Sequence, residues 1–105
     1  MSFRIQVETE GGTATIRPVG DVDLTTEPCV RKAIAAAFDD VGTRRLVVDL
    51  SDVTFLDCRG LSALVEGRQR ADERGVSYRV VGARGIAGTL LCLTGTTDYL
   101  SGGVG

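Results

Sequence analysis

The sequence predicts an α/β layer fold: one mixed, mostly parallel β-sheet that begins with an antiparallel hairpin and carries packed α-helices. Three observations predict it. Residues 3–16 alternate apolar and polar side chains across a Gly-Gly pair, the period of strands with one buried face. Later stretches repeat apolar residues at three-to-four spacing over helical lengths. Short β-rich runs fall between them, so strand and helix alternate. With 105 residues and 43% hydrophobic composition, the chain can bury one modest core. Residues 1–105 are therefore read as one domain, ordered over about 3–100.

Phe3, Ile5 and Val7 alternate with Arg4, Gln6 and Glu8, which predicts a first strand with its apolar face inward. Gly11-Gly12 marks a tight turn, and Ala14 and Ile16 continue the alternation as the second strand of a hairpin. Pro18 has no N–H to donate, so this strand is expected to end or to lie at an edge there. Thr25 or Thr26 can cap a helix whose first turn contains Pro28. Its stripe is Val30, Ala33, Ile34, Ala37, Phe38 and Val41, and Gly42 stops it. Arg45 to Leu50 is a nearly continuous apolar run, expected as a central strand covered on both faces.

A second helix is expected from about Gly60 to Gly75, with Leu61, Leu64, Val65 and Ala71 inward and Arg68, Arg70, Asp72, Glu73 and Arg74 toward water. Tyr78 to Val81 follows as a strand, Ile86 to Leu93 as a helix, and residues 101–105 as a frayed tail. Strands and helices in this order are joined by right-handed crossovers.

Composition narrows the function. A net charge of −2 with dispersed basic residues gives no general attraction to nucleic acid or anionic lipid. No stretch reaches the roughly 20 apolar residues that span a bilayer, and the N-terminus reads as a strand instead of a signal peptide, so the expected location is the cytoplasm. Cys29, Cys58 and Cys92 form no CxxC pair and are expected to be reduced, mostly as small core residues.

The chain has no histidine, which removes the usual base for a serine or cysteine nucleophile and the commonest zinc ligand. No acid–base or nucleophile constellation remains, so the chain is not expected to be an enzyme, and no cofactor is implied. Gly82-Ala-Arg-Gly-Ile-Ala-Gly88 matches neither the dinucleotide fingerprint nor the phosphate loop and reads as a strand-to-helix turn. Asp21, Asp23 and Asp57 could gather at one end of the sheet, where aspartates more often cap loops than hold a metal.

The segment Phe55-Leu-Asp-Cys-Arg-Gly-Leu-Ser62 is unusual: an acid, a thiol and a guanidinium crowd the start of a helix. An arginine there opposes the helix dipole by about 0.3–1 kcal/mol, which Asp57 could offset. The same helix start, with Arg59 beside it, would favour a nucleophilic thiol at Cys58, but no resolving cysteine is close in sequence and the residue reads first as a small structural one at a tight turn.

The run LVVDLSDVTFLDCRGLSAL, from Leu46 to Leu64, resembles the STAS domain, the sulfate transporter and anti-sigma factor antagonist family. Gly20-Asp21-Val22-Asp23-Leu24 is similar to that family's segment before its first helix, and Leu93-Thr94-Gly95 to its closing turn. What the resemblance implies is a single STAS domain acting as an anti-sigma factor antagonist. It would bind an anti-sigma factor that is also a serine kinase, and so free a sigma factor. In the family the kinase phosphorylates the residue after the acid of a D-[ST]-[ST]-G turn and the partners separate.

Here Cys58 stands at that phosphoserine position and Arg59 at the next, so control by phosphorylation is not expected at residue 58. The partner-binding residues implied are Asp21, Asp23, Leu24, Thr25, Asp57, Cys58, Arg59, Gly60, Leu61 and Ser62. Ser62, one turn into the helix, is expected to serve packing or local hydrogen bonding. The alternatives are a redox-responsive module using Cys58 and a STAS subunit of a transporter or sensing assembly.

Overall fold

The computed structural model describes residues 3–83 and 85, so the expected third helix, the Leu93-Thr94-Gly95 turn, the tail and Cys92 lie outside the described residues. β1 (Arg4–Glu10) and β2 (Thr13–Val22) form the hairpin, followed by α1 (Glu27–Asp39), β3 (Arg45–Asp49), β4 (Val53–Leu56), α2 (Cys58–Arg74) and β5 (Ser77–Val81). The sheet order is β1-β2-β3-β5, with β4 beside the far end of β2. Only the β1–β2 pairing is antiparallel among the described strands.

Pro18 does not end its strand. In a hairpin with a two-residue turn the bonded pairs begin at Glu10 and Thr13 and alternate, so Ile5 opposite Pro18 is a non-bonded pair. The Pro18 nitrogen thus points to the other flank. There it falls between Ile16, the last residue paired with β3, and Gly20, the first paired with β4, and no ladder bond is lost. β2 is thereby free to continue and to receive β4, a strand the sequence reading missed. β4 has four residues, too short for periodicity to distinguish it from a loop.

Both helices pack on one face of the sheet. Ala14, Ile16, Leu46, Val48, Tyr78 and Val80 meet Val30, Ile34, Phe38, Leu61, Leu64 and Ala71 in a single buried cluster. Each large aliphatic or Phe side chain buried here contributes about 1.5–3 kcal/mol. On the opposite face Val47 and Asp49 are half-covered, so β3 is deeply buried on one side, not on both as expected. Val7 is 53% and Val41 102% exposed, both outside the core they were expected to join. β1 lies at the end of the sheet, and α1 stops at Asp39, so neither helix shields Val7 fully or includes Val41. The Asp40 carboxylate accepts from Gly42 N–H at 2.9 Å, which turns the chain before Val41 could add another helical turn.

α2 starts two residues earlier than the pattern suggested and ends at Gly75, whose φ of 67° is the left-handed cap that glycine adopts without strain. Its stripe is wider than expected, adding Gly60, Ala63 and Gly67. Gly67 sits against Tyr78, whose hydroxyl donates to the Leu64 carbonyl at 2.9 Å. At the far end Arg74 donates to the Phe38 carbonyl at 3.1 Å and lies 5.9 Å from the Phe38 ring centre, tying the two helix C-termini together.

Candidate functional site

The site is the corner where β2 and β4 end and α1 and α2 begin. β4 runs parallel to the last residues of β2, with Asp21 opposite Phe55 and Val22 opposite Leu56. Asp57 N–H then donates to the Val22 carbonyl at 3.2 Å, joining the two loops. The Thr54 hydroxyl donates to Asp21 Oδ1 at 2.5 Å and locks the same junction from the strand side.

In the first loop Asp23 organises the chain. Its Oδ1 accepts from Thr25 N–H at 2.9 Å and Thr25 hydroxyl at 2.7 Å. Those bonds, with the Thr25 hydroxyl foremost, hold the Asp23 carboxyl below its ordinary value, because they favour the charged form. Thr26 occupies the N-cap of α1, but its hydroxyl reaches back, donating to the Asp21 carbonyl at 2.6 Å and accepting from Asp23 N–H at 2.9 Å. Leu24, at the tip, is 59% exposed, and Thr25 is exposed beside it.

Asp57 is the N-cap of α2. Its Oδ1 accepts from the N–H groups of Arg59 and Gly60, at 3.0 Å each. The acid therefore meets the backbone of Arg59, not its guanidinium, and offsets the helix start itself. Among the described residues Arg59 has no ion pair, so its exposed charge is held by neither Asp57 nor another carboxylate. Cys58 takes the first helical position and is exposed, as is Cys29, whereas the three cysteines were expected to be mostly small core residues.

Of the ten residues named from the sequence, the fold gathers all around this corner, but it divides their roles. Leu24, Thr25, Cys58, Arg59 and Ser62 offer exposed side chains. Ser62, expected to serve packing or local hydrogen bonding, faces outward. Asp21, Asp23 and Asp57 spend their carboxylates on hydroxyl and amide donors, as caps and loop ties do. Gly60 and Leu61 turn inward and are buried in the core, so they offer no exposed side chain at the corner. A Cβ at Gly60 would meet the Leu56 methyl and lie 2.8 Å from Val22 Cγ1, so helix and strands approach too closely here for a side chain.

Thr26, Thr54 and Phe55 were missed. Phe55 is 38% exposed on β4, next to the corner, and only its pairing with Asp21 reveals that it points away from the core. A shallow pocket of about 300 Å³ beneath the first loop is lined by Phe3, Asp21, Asp23, Thr25, Thr26 and Thr54. A larger groove of about 680 Å³ lies between α1 and α2, crossed by Arg31, which bonds Glu27 at 2.8 Å and Glu66 at 2.6 Å. Those two carboxylates, Glu27 first, push the Arg31 guanidinium above its ordinary value. Among the described residues no three His, Cys, Asp or Glu side chains converge as metal ligands would, and no helix is long and apolar enough to cross a membrane.

The model of the STAS domain family matches residues 4–101. The chain belongs to the STAS domain family. An anti-sigma factor antagonist from Mycobacterium paratuberculosis has the same fold at a TM-score of 0.84 and 29% identity, over 95% of this chain and 83% of that one. The anti-sigma-B factor antagonist of Staphylococcus aureus is 24% identical over 95% of this STAS chain and 92% of its own length. The Bacillus cell fate determinant SpoIIAA in its phosphorylated form shares the fold at a TM-score of 0.74 and 14% identity, over 93% and 88% of the two chains.

Proposed function

We propose that this STAS domain is an anti-sigma factor antagonist. It docks its exposed corner on an anti-sigma factor of the serine-kinase type, in the cytoplasm, and so frees a sigma factor. The observation that carries the reading is Cys58: an exposed thiol at the first position of α2, between the capping Asp57 and the buried Gly60. The names of the Staphylococcus and Mycobacterium relatives support the antagonist role.

SpoIIAA, which shares the fold, is described in unphosphorylated and phosphorylated forms, so that protein accepts phosphate. A thiol is not a substrate for a serine kinase, and control by phosphorylation at residue 58 is lost here. Asp57 is the acid that the D-[ST]-[ST]-G turn also carries. It already holds the Arg59 and Gly60 N–H groups that would otherwise receive an anion at the helix start. A phosphoryl group at position 58, carrying about −1.5 to −2 charges, would therefore sit beside a carboxylate at a surface fitted to the partner. In Arg59 the corner carries a cation suited to a carboxylate of that partner.

The test uses the kinase-type anti-sigma factors encoded in the same genome. Calorimetry should find one that binds the chain, and after incubation with ATP the wild type should show no added phosphate by intact mass. Cys58→Ser should gain one phosphate and leave the complex. Binding to none of them overturns the antagonist reading, and stoichiometric phosphate on wild-type Ser62 or Thr54 overturns the loss of phospho-control.

A second reading, in which oxidation of Cys58 replaces phosphorylation as the trigger, rests on the exposure of that thiol at the corner. It requires Cys58 to react with an alkylating agent faster than the same thiol in the denatured chain. Equal rates remove it.

A further inference from the structure

The outer edge of the sheet remains unexplained by partner docking. β1 is seven residues long and ends the strand order, with β2 on one side and, among the described residues, no strand on the other. Such an edge is ordinarily blunted by charged side chains, lysine above all, by proline or by a bulge; β1 has no lysine, proline or bulge, and its charges, Arg4, Glu8 and Glu10, all lie on one face. Its register with β2 determines what it presents. The bonded pairs of the hairpin are Glu10–Thr13, Glu8–Thr15, Gln6–Arg17 and Arg4–Val19, so the N–H and C=O groups of Ile5, Val7 and Thr9 point outward. Val7, midway along the strand and on the helix-bearing face with Ile16, is 53% exposed. Arg4, Gln6, Glu8 and Glu10 line the opposite face, all exposed.

We infer that this edge pairs with β1 of a second copy of the chain, antiparallel, about a twofold axis through Val7. In that register each Arg4 lies opposite Glu10 of the other copy and each Gln6 opposite Glu8. Val7 meets Val7, and Ile5 meets Thr9. The three residues with outward amides are then matched only with one another, giving six inter-chain hydrogen bonds by the antiparallel pattern. Opposite charges face across the seam at both ends, and the two exposed valines cover each other at its centre.

Neighbouring registers are worse. A one-residue slip opposes outward amides to inward ones. A two-residue slip one way sets Glu8 against Glu8, and the other way leaves Thr9 and Glu10 outside the paired stretch of the described strand. The chosen register is an isologous contact, in which the same patch serves both subunits, and it joins two four-strand runs into eight strands in line. A seam built of one strand pair is small, so the association is a weak, reversible dimer.

Sedimentation equilibrium of the full chain from about 5 µM to about 1 mM covers the range expected of so small a contact. The wild type should show a monomer–dimer equilibrium that weakens as salt screens the end charges. Val7→Pro removes an outward N–H on each side of the axis and leaves the ladder to β2 intact; it should weaken the dimer about tenfold. Arg4→Glu, at an exposed position that carries the decision should the proline variant unfold, should weaken it about three- to tenfold, and adding Glu10→Arg should restore it. A chain monomeric throughout overturns the inference, as does a dimer indifferent to both single variants. A double charge reversal no better than Arg4→Glu overturns the register.

Discussion

Replacing Gly67 by alanine sets helix propensity against close packing. Gly67 lies mid-way along α2, where alanine is favoured over glycine by about 1 kcal/mol. Against that, an added Cβ would stand 2.6 Å from the Tyr78 hydroxyl oxygen and 2.9 Å from its ring carbon Cζ, distances at which the ring must move. Overpacking of this kind costs about 1–3 kcal/mol, and displacing the ring also strains the buried Tyr78–Leu64 hydrogen bond of 2.9 Å, a bond worth about 1 kcal/mol. The packing side wins: Gly67→Ala should destabilise by about 1–3 kcal/mol and lower Tm by roughly 4–8 °C per kcal/mol in a domain of this size.

The decisive measurement is the cycle with Tyr78→Phe, in urea denaturation followed by far-UV circular dichroism. Tyr78→Phe alone should cost about 0.5–1.5 kcal/mol. Because the hydroxyl is the atom nearest the new methyl, the double variant should be less damaged than the sum of the singles by about 1 kcal/mol. Additivity within about 0.3 kcal/mol would refute the contact argument, and a Gly67→Ala protein as stable as wild type would refute the claim that α2 seats against β5 at this glycine.

Asp57→Ala should cost about 1 kcal/mol by removing two cap bonds, while Asp57→Asn should retain most of that stability, as urea midpoints will show. Asp49 is held below 3.8: burial pushes it up, but bonds from Ser51 and Arg17 outweigh that. Its contribution is therefore present above the unfolded value and lost as pH falls through the lowered folded one. Asp49→Asn should flatten the acid limb of the stability curve below about pH 4 in thermal scans from pH 6 to 2.5. Glu66→Gln removes an ion pair whose side chains are 42% and 56% exposed, and should change stability by less than about 1 kcal/mol.

Much of the fold is local and therefore legible in the chain. The alternation through Phe3 and Ile5, the Gly11-Gly12 turn, the stripe through Val30, Ile34 and Phe38, and the pairing of Leu61 with Leu64 each depend on residues a few positions apart, so periodicity alone assigns them. The candidate corner was named through the resemblance of Asp57 and its neighbours to the STAS turn, a resemblance carried by residues close together in the chain. The separation of its residues into caps, core and exposed contacts was not. Whether Asp57 meets a guanidinium or two amides, and whether Leu61 faces a partner or the core, depends on where β2 and β4 run beside the helix.

The sequence by itself determined the hairpin, both described helices and the strands of β3 and β5, and that an acid, a thiol and a guanidinium stand together before Gly60. Only the tertiary structure decided that Pro18 lies in a gap between two partners, that four residues of β4 count as a strand, that Val7 and Val41 remain uncovered, and that Gly60 and Gly67 are seats for Val22, Leu56 and Tyr78. The physical reason is one of range. Periodicity reports which face of an element is apolar, whereas coverage, close approach and the fate of a hydrogen-bonding group are set by neighbours distant in the chain.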